Sequence, residues 1–113
     1  MKHTRFSIII PCYNAEKEVV RAIESVKKQK FKDYEIIAVD DFSKDNTYEV
    51  LKKEKDIKVI KNNESLRAGG ARNVAMNIAC GEYIIFLDAD DYLATDDVLL
   101  RLNDLIGMDS PDI

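Results

Sequence analysis

Gly81-Glu-Tyr-Ile-Ile-Phe-Leu-Asp-Ala-Asp-Asp-Tyr92 is the stretch on which the reading of this chain turns. The five apolar residues from Tyr83 to Leu87 predict a strand buried on both faces, as in a parallel sheet with helices packed against either side. At its C-terminal end the chain switches to Asp88, Asp90 and Asp91. Like charges this close repel, and a cation, hydrogen-bond donors or protonation must relieve them. Ligands of open α/β sheets bind at the carboxyl ends of the strands. In an extended segment Asp88 and Asp90 share one side and Ala89 turns away. Two hard oxygen donors suit Mg²⁺ or Mn²⁺, which complete their shells with water and phosphate oxygens. Asp91, Asp96 and Asp97 need no ligand, since a loop and a helix start account for them.

Working outward, the segment before this strand reads as a helix, with Ala71, Val74, Ala75, Ile78 and Ala79 on one face. Its small inward residues predict close packing on the sheet. Arg72 falls in the expected first turn, where a cation opposes the helix dipole unless a carboxylate or an anionic ligand pairs with it. The preceding polar loop, Asn62 to Gly70, contains Arg67; the backbone amides at the helix start with the flexible Gly69-Gly70 offer an anion site, for which Gly-Gly by itself is a weak signal. A short strand is expected at Ile57–Ile60. Another, Glu35–Val39, ends in a second acid pair, Asp40 and Asp41, with Ser43 or Asp45 available to cap the helix after it. The first strand, Phe6–Ile10, ends at Pro11. Asn14 reads as N-cap of a helix with Val19, Ala22, Ile23 and Val26 inward, Glu16 and Glu18 in its first turn and Lys27, Lys28 and Lys30 in its last. On the other side, a final helix is expected from about Asp96, with Thr95 as N-cap, Val98, Leu99, Leu102, Leu105 and Ile106 inward, and Gly107 as its stop. Ser110-Pro111-Asp112-Ile113 reads as the start of a further strand, so the chain is expected to be a piece of a longer protein. The β-α-β-α-β-α-β-α pattern predicts one α/β domain over residues 1–113, with a mostly parallel sheet and helices on both faces.

Composition narrows the function. A net charge of -4 argues against a general nucleic-acid binder. No apolar run reaches membrane-span length, and Met1 to Arg5 lacks a signal-peptide core, so a cytoplasmic chain is expected. Cys12 and Cys80 read as free thiols, and His3 as an ordinary surface histidine. Neither a P-loop nor a G-x-G-x-x-G follows the first strand, where Pro-Cys-Tyr-Asn stands instead. Phosphate charge must then be met by a metal and by Arg or Lys.

Four co-linear motifs, Ser7-Ile-Ile-Ile-Pro-Cys-Tyr-Asn14, Ile37-Ala-Val-Asp-Asp-Phe-Ser43, Gly70-Ala-Arg-Asn73 and Gly81 to Asp91, together resemble the family 2 inverting glycosyltransferases of GT-A fold. That resemblance implies the Rossmann-like nucleotide-binding half of such a fold. It also implies a nucleotide-sugar donor, often a UDP-sugar, a divalent cation, and a role in polysaccharide biosynthesis with a carbohydrate or lipid-linked acceptor. Pro11 and Tyr13 then correspond to the lip over the nucleoside, and Asp41 to the acid that bonds the base. Asn14, Asp40 and Ala89 join the expected nucleotide-binding set. Asp88 and Asp90 match the D-x-D motif as the metal pair, Asp88 towards the ribose, and Arg72 matches the family's recurring arginine. The family's general base lies beyond residue 113, so no catalytic residue is expected here and the chain alone is expected to be inactive. Phe42 stands where the family usually has glycine, which predicts a strained turn. Two alternatives remain at this point: a receiver-like Mg²⁺-binding signalling domain, although its acids would follow the first strand, and a non-catalytic nucleotide-sugar-binding module. An open sheet edge would favour self-association.

Overall fold

Alternating apolar runs and amphipathic stretches fold in the expected order. The computed structural model describes residues 4–109; His3 and the expected strand start at 110–113 lie outside them. The elements are β1 (Thr4–Cys12), α1 (Val19–Lys27), β2 (Tyr34–Asp40), α2 (Thr47–Lys52), β3 (Lys58–Lys61), α3 (Arg67–Met76), β4 (Gly81–Phe86) and α4 (Val98–Asp109). The strands form a sheet of order β3-β2-β1-β4, and every pairing is parallel. Ile8 of β1 lies level with Ile36 of β2 and Ile85 of β4, which sets the acid-bearing ends side by side.

Side chains alternate across the sheet, and each face has its own cover. Phe6, Ile8, Ile10, Ile36 and Ala38 pack with Val19, Ala22, Ile23 and Val26 of α1, Leu51 of α2 and Leu99 of α4. The opposite face buries Ile9, Ile37 and Val39 under Ala71 and Ala75 of α3, as the small residues of that helix predict. Helices therefore cover both faces, unequally.

Several boundaries differ from expectation. Tyr83, Ile84 and Phe86 are 41%, 39% and 44% exposed, so β4 is not buried on both sides. Among the described residues it is an edge strand, as β3 is on the other side, and α3 lies over β1 and β2 instead. Asn14 does not cap α1, whose first turn contains neither Glu16 nor Glu18; it sits at φ 49° five residues upstream, a left-handed conformation that asparagine tolerates. Gly69-Gly70 is not a loop: α3 begins at Arg67, and Arg72 falls in its second turn. Gly70 is small because a Cβ there would stand 2.6 Å from that of Leu66, where the chain enters the helix. α4 runs through Gly107 to Asp109, Leu105 is exposed, and Thr95 lies before the helix, its hydroxyl on Asp97.

The end of the sheet remote from the acids is tied by a polar network. Ser7 Oγ donates to Glu35 Oε2 at 2.5 Å and accepts the Gly81 N–H at 2.8 Å. The Cys80 N–H also donates to Glu35 Oε2, and Lys58 Nζ pairs with Oε1 at 2.8 Å. Burial pushes the Glu35 carboxyl up, but donors from Lys58, Ser7 and Cys80 outweigh it and hold it below the usual range. This fixes β4 to β1 and β2.

Candidate functional site

The C-terminal ends of β1, β2 and β4 open into a cleft of about 490 Å³. Pro11, Cys12 and Tyr13 form one wall; Asp41 and Asp88 stand at the strand ends; Ser65, Arg67 and Ala71 close the side towards α3. Of the residues singled out in sequence, Pro11, Tyr13, Asp41 and Asp88 meet here, while Asn14, Asp40, Arg72, Ala89 and Asp90 do not line the cleft. Ser65 and Arg67 were missed as site residues. The available signal was the polar stretch facing a buried acid on the neighbouring strand.

The wall from β1 and the turn after β2 are bonded together. The Asp41 N–H donates to the Cys12 carbonyl at 2.8 Å, and the Asn14 N–H to Ser43 Oγ at 2.9 Å. Asn14 Oδ1 in return accepts the Lys44 N–H at 2.8 Å. Further along, Thr47 Oγ1 accepts the Ala15 N–H, and Asp45 Oδ2 the Glu16 N–H. Asp45 Oδ1 also accepts the Thr47 N–H in a local turn, but Asn46 is the N-cap of α2 and makes no side-chain cap bond, so neither Asp45 nor Ser43, which serves the other loop, caps that helix. Asp40, buried at the end of β2, accepts the Ser43 N–H at 3.3 Å. Burial pushes the Cys12 thiol up to about 12, with Asp40 adding to the effect, so it stays protonated and donates to the Ile10 carbonyl.

Phe42, in this turn, takes φ 63°, the conformation its replacement of glycine predicts to be strained. Relief of about 1–2 kcal/mol of left-handed strain, set against roughly 0.5–1 kcal/mol of extra chain entropy for glycine, leaves a small net gain. A Phe42→Gly variant is therefore expected to be more stable by roughly 0.5–1 kcal/mol in urea titration; a less stable variant would show that the ring contributes more than the backbone loses.

Asp41, only 4% exposed, is held by the loop between β3 and α3. Its Oδ1 accepts from the Leu66 N–H at 2.8 Å and Asn62 Nδ2 at 3.0 Å, and its Oδ2 from Ser65 Oγ at 3.1 Å. Burial raises this carboxyl, and the hydrogen bonds from Leu66, Asn62, Ser65 and the Arg67 N–H more than offset it, leaving it below the usual carboxylate range. Asp41 thereby orients the segment that carries Arg67, itself at φ 61°.

At the end of β4 the side chains alternate as expected: Asp88 and Asp90 are exposed and Ala89 is buried. Arg72 reaches across from α3, its Nη2 4.0 Å from Asp88 Oδ1 and its guanidinium 5.2 Å from the centroid of the Phe86 ring. The Arg72 Nε–H is buried without a hydrogen-bond partner among the described residues. No three His, Cys, Asp or Glu side chains converge into a metal cage among those residues. Two exposed carboxylates fit an ion of the Mg²⁺ or Mn²⁺ kind that keeps waters and shares phosphate oxygens with a ligand.

A parallel sheet whose strand ends gather acids, an arginine and an open cleft defines a nucleotide-binding α/β class. The sequence model of glycosyl transferase family 2 matches residues 7–112, and the chain belongs to that family. UDP-Glc:alpha-D-GlcNAc-diphosphoundecaprenol beta-1,3-glucosyltransferase WfaP of Escherichia coli is 47% identical over 91 residues, 79% of this chain and 36% of the relative. The crystal structure of S. aureus TarS 1-349 in complex with UDP-GlcNAc superposes with a TM-score of 0.87 at 33% identity, covering 93% of this chain and 32% of that one. Mannosyltransferase PcManGT from Pyrobaculum calidifontis, in complex with GDP-Man and Mn2+, shares the fold with a TM-score of 0.85 at 22% identity. The chain spans about a third of the length of these relatives. Family membership removes the receiver-like alternative. Among the described residues, no helix is long and apolar enough to cross a membrane.

Proposed function

We propose that this chain is the donor-binding part of a glycosyltransferase that takes its sugar from a UDP-sugar. The observation that carries this reading is the convergence of Tyr13, Asp41, Arg67 and Asp88 on one cleft at the strand ends. The UDP-GlcNAc complex of TarS, over the same fold, supports the choice of uridine nucleotide. In this reading Pro11 and Tyr13 flank the nucleoside, while Asp41 holds its own loop and bonds the base. Asn14 and Asp40 keep the wall in shape. Asp88 and Asp90 hold a divalent cation together with the donor diphosphate, and the buried Ala89 sets their direction. The bound cation supplies charge stabilisation for the departing diphosphate. Arg72, whose Nη2 lies 4.0 Å from Asp88 Oδ1, adds positive charge beside the same anion.

Inverting transfer also needs a base to take the proton of the incoming hydroxyl. We assign that base, and the site for a carbohydrate or lipid-linked acceptor, to sequence outside residues 1–113, and place the parent protein at the cytoplasmic face of a membrane. The chain alone is then expected to bind donor and transfer no sugar.

Calorimetric titration of UDP with and without Mn²⁺ tests the reading. Mn²⁺ is expected to tighten binding by about ten-fold or more, and Asp90→Ala to lose that increment while keeping its melting temperature. UDP binding that ignores both metal and variant would remove the donor-site assignment.

A further inference from the structure

Outside the cleft, α1 makes an unusual set of contacts with one segment. Its apolar face, Val19, Ala22, Ile23 and Val26, is buried in the core. A second row, Arg21, Ser25 and Gln29, follows at i, i+4 and i+8 and runs off the C-terminal end of the helix. All three side chains bond to the stretch that joins β4 to α4. Arg21 Nη2 donates to the Asp90 carbonyl at 3.1 Å, and its guanidinium lies 4.5 Å from the Tyr92 ring centroid. Ser25 Oγ accepts the Leu93 N–H at 3.0 Å while donating to the Ala22 carbonyl. Gln29, fully buried, donates to the Thr95 carbonyl at 2.6 Å and accepts the Leu99 N–H at 3.1 Å in the first turn of α4.

We propose that this row is a positioning device, in which Ser25 and Gln29 anchor the base of the acid-bearing loop and Arg21 fixes the Asp90 backbone so that Asp88 and Asp90 present their carboxylates together. The loop needs such a device. Backbone bonds tie its two ends, from the Leu87 N–H to the Ile9 carbonyl and from the Lys30 N–H to the Asp96 carbonyl, but between them the structure gives only the turn from the Asp91 N–H to the Asp88 carbonyl, and a groove of about 510 Å³ opens against α1 around Arg21, Ser25, Tyr92 and Thr95. Leu87, Ala89 and Leu93 seat the segment on the core, and polar contacts with α1 set the pose of its acid-bearing turn. Gln29 and Ser25 also serve the fold. Arg21 is exposed and contributes nothing to the core, so its removal separates positioning from stability.

The functional half of this inference rests on the donor-site reading above. The test compares Arg21→Ala and Arg21→Lys with the parent chain by two measurements, amide exchange in the absence of ligand and titration of UDP with and without Mn²⁺. Faster exchange at Asp91 and Leu93 is expected in Arg21→Ala, with an unchanged melting temperature. The Mn²⁺-dependent gain in UDP affinity is expected to fall roughly ten-fold, metal-free UDP affinity to stay constant, and lysine to restore part of the loss. Unchanged exchange overturns the proposal whatever UDP does. An equal fall in metal-free and metal-dependent affinity overturns the positioning role in favour of a merely structural one. If the parent shows no Mn²⁺-dependent UDP binding while exchange still quickens, the donor-site reading fails and takes the functional half with it, leaving a loop anchor.

Discussion

Gly81→Ala is expected to lower stability by about 3 kcal/mol, near the upper end of the overpacking range, and to do so by prising β4 from β1. A Cβ at this position would stand 2.5 Å from the Ser7 nitrogen, 2.6 Å from its Oγ and 2.8 Å from the Phe6 carbonyl carbon. Two of those atoms are backbone of a central strand paired on both sides, so they have nowhere to go. Displacing Ser7 also breaks its bonds to Gly81 and Glu35, and the Cys80 N–H converges on the same carboxylate oxygen. In thermal melting the loss corresponds to a fall on the order of 15 °C. Amide exchange should show β4 opening first, since among the described residues it pairs with β1 alone and loses that pairing here. A variant that melts with the parent would mean that β4 shifts freely, and that the network at this end does not hold it.

Asp41→Ala is expected to cost about 3 kcal/mol, because it leaves the buried Asn62 amide and the Leu66 N–H without their acceptor. Ser65 loses its partner too, though it reaches water. The second consequence is functional: without Asp41 the loop carrying Arg67 is no longer held against the cleft, and UDP affinity of the folded variant should fall by about ten-fold or more. The effect has a pH signature. Asp41 titrates below its ordinary 3.8 in the folded chain, so its contribution is complete above that value and disappears as pH falls through the depressed one. The stability gap between parent and Asp41→Asn should therefore narrow in acid and stay constant from neutral pH down to about 5. Equal stability of parent and alanine variant at neutral pH would show that the loop stands without this carboxylate.

The sheet and its acid-bearing ends could be read from the chain because strand periodicity and abrupt charge are local signals. Phe6–Ile10 and Glu35–Val39 lie within the observed strands, and Asp88, Ala89 and Asp90 alternate as an extended segment requires. Strand order is not local. Tyr83, Ile84 and Phe86 are as apolar as residues of a central strand, and only the pairing shows that they line an edge. Helix starts failed for a different reason: Asn14 and Gly69-Gly70 carry the usual punctuation, but Asn14 is committed to Ser43 and Lys44, and Gly70 makes room for Leu66 inside a helix. The anchoring roles of Gln29 and Glu35 depend on partners tens of residues away, and a polar side chain in isolation gives no sign of being buried.

The bonds that join the segment after β1 to the turn after β2 bear on kinetics. A wall already stitched from Cys12 to Glu16 and from Asp41 to Thr47 exists before any ligand arrives, so its ordering entropy is not subtracted from the binding free energy. Encounter on that side should behave as collision with a rigid surface, with an association rate independent of loop closure. Any gated, slow phase belongs to the opposite rim, where three side chains hold the stretch after β4 across an open groove.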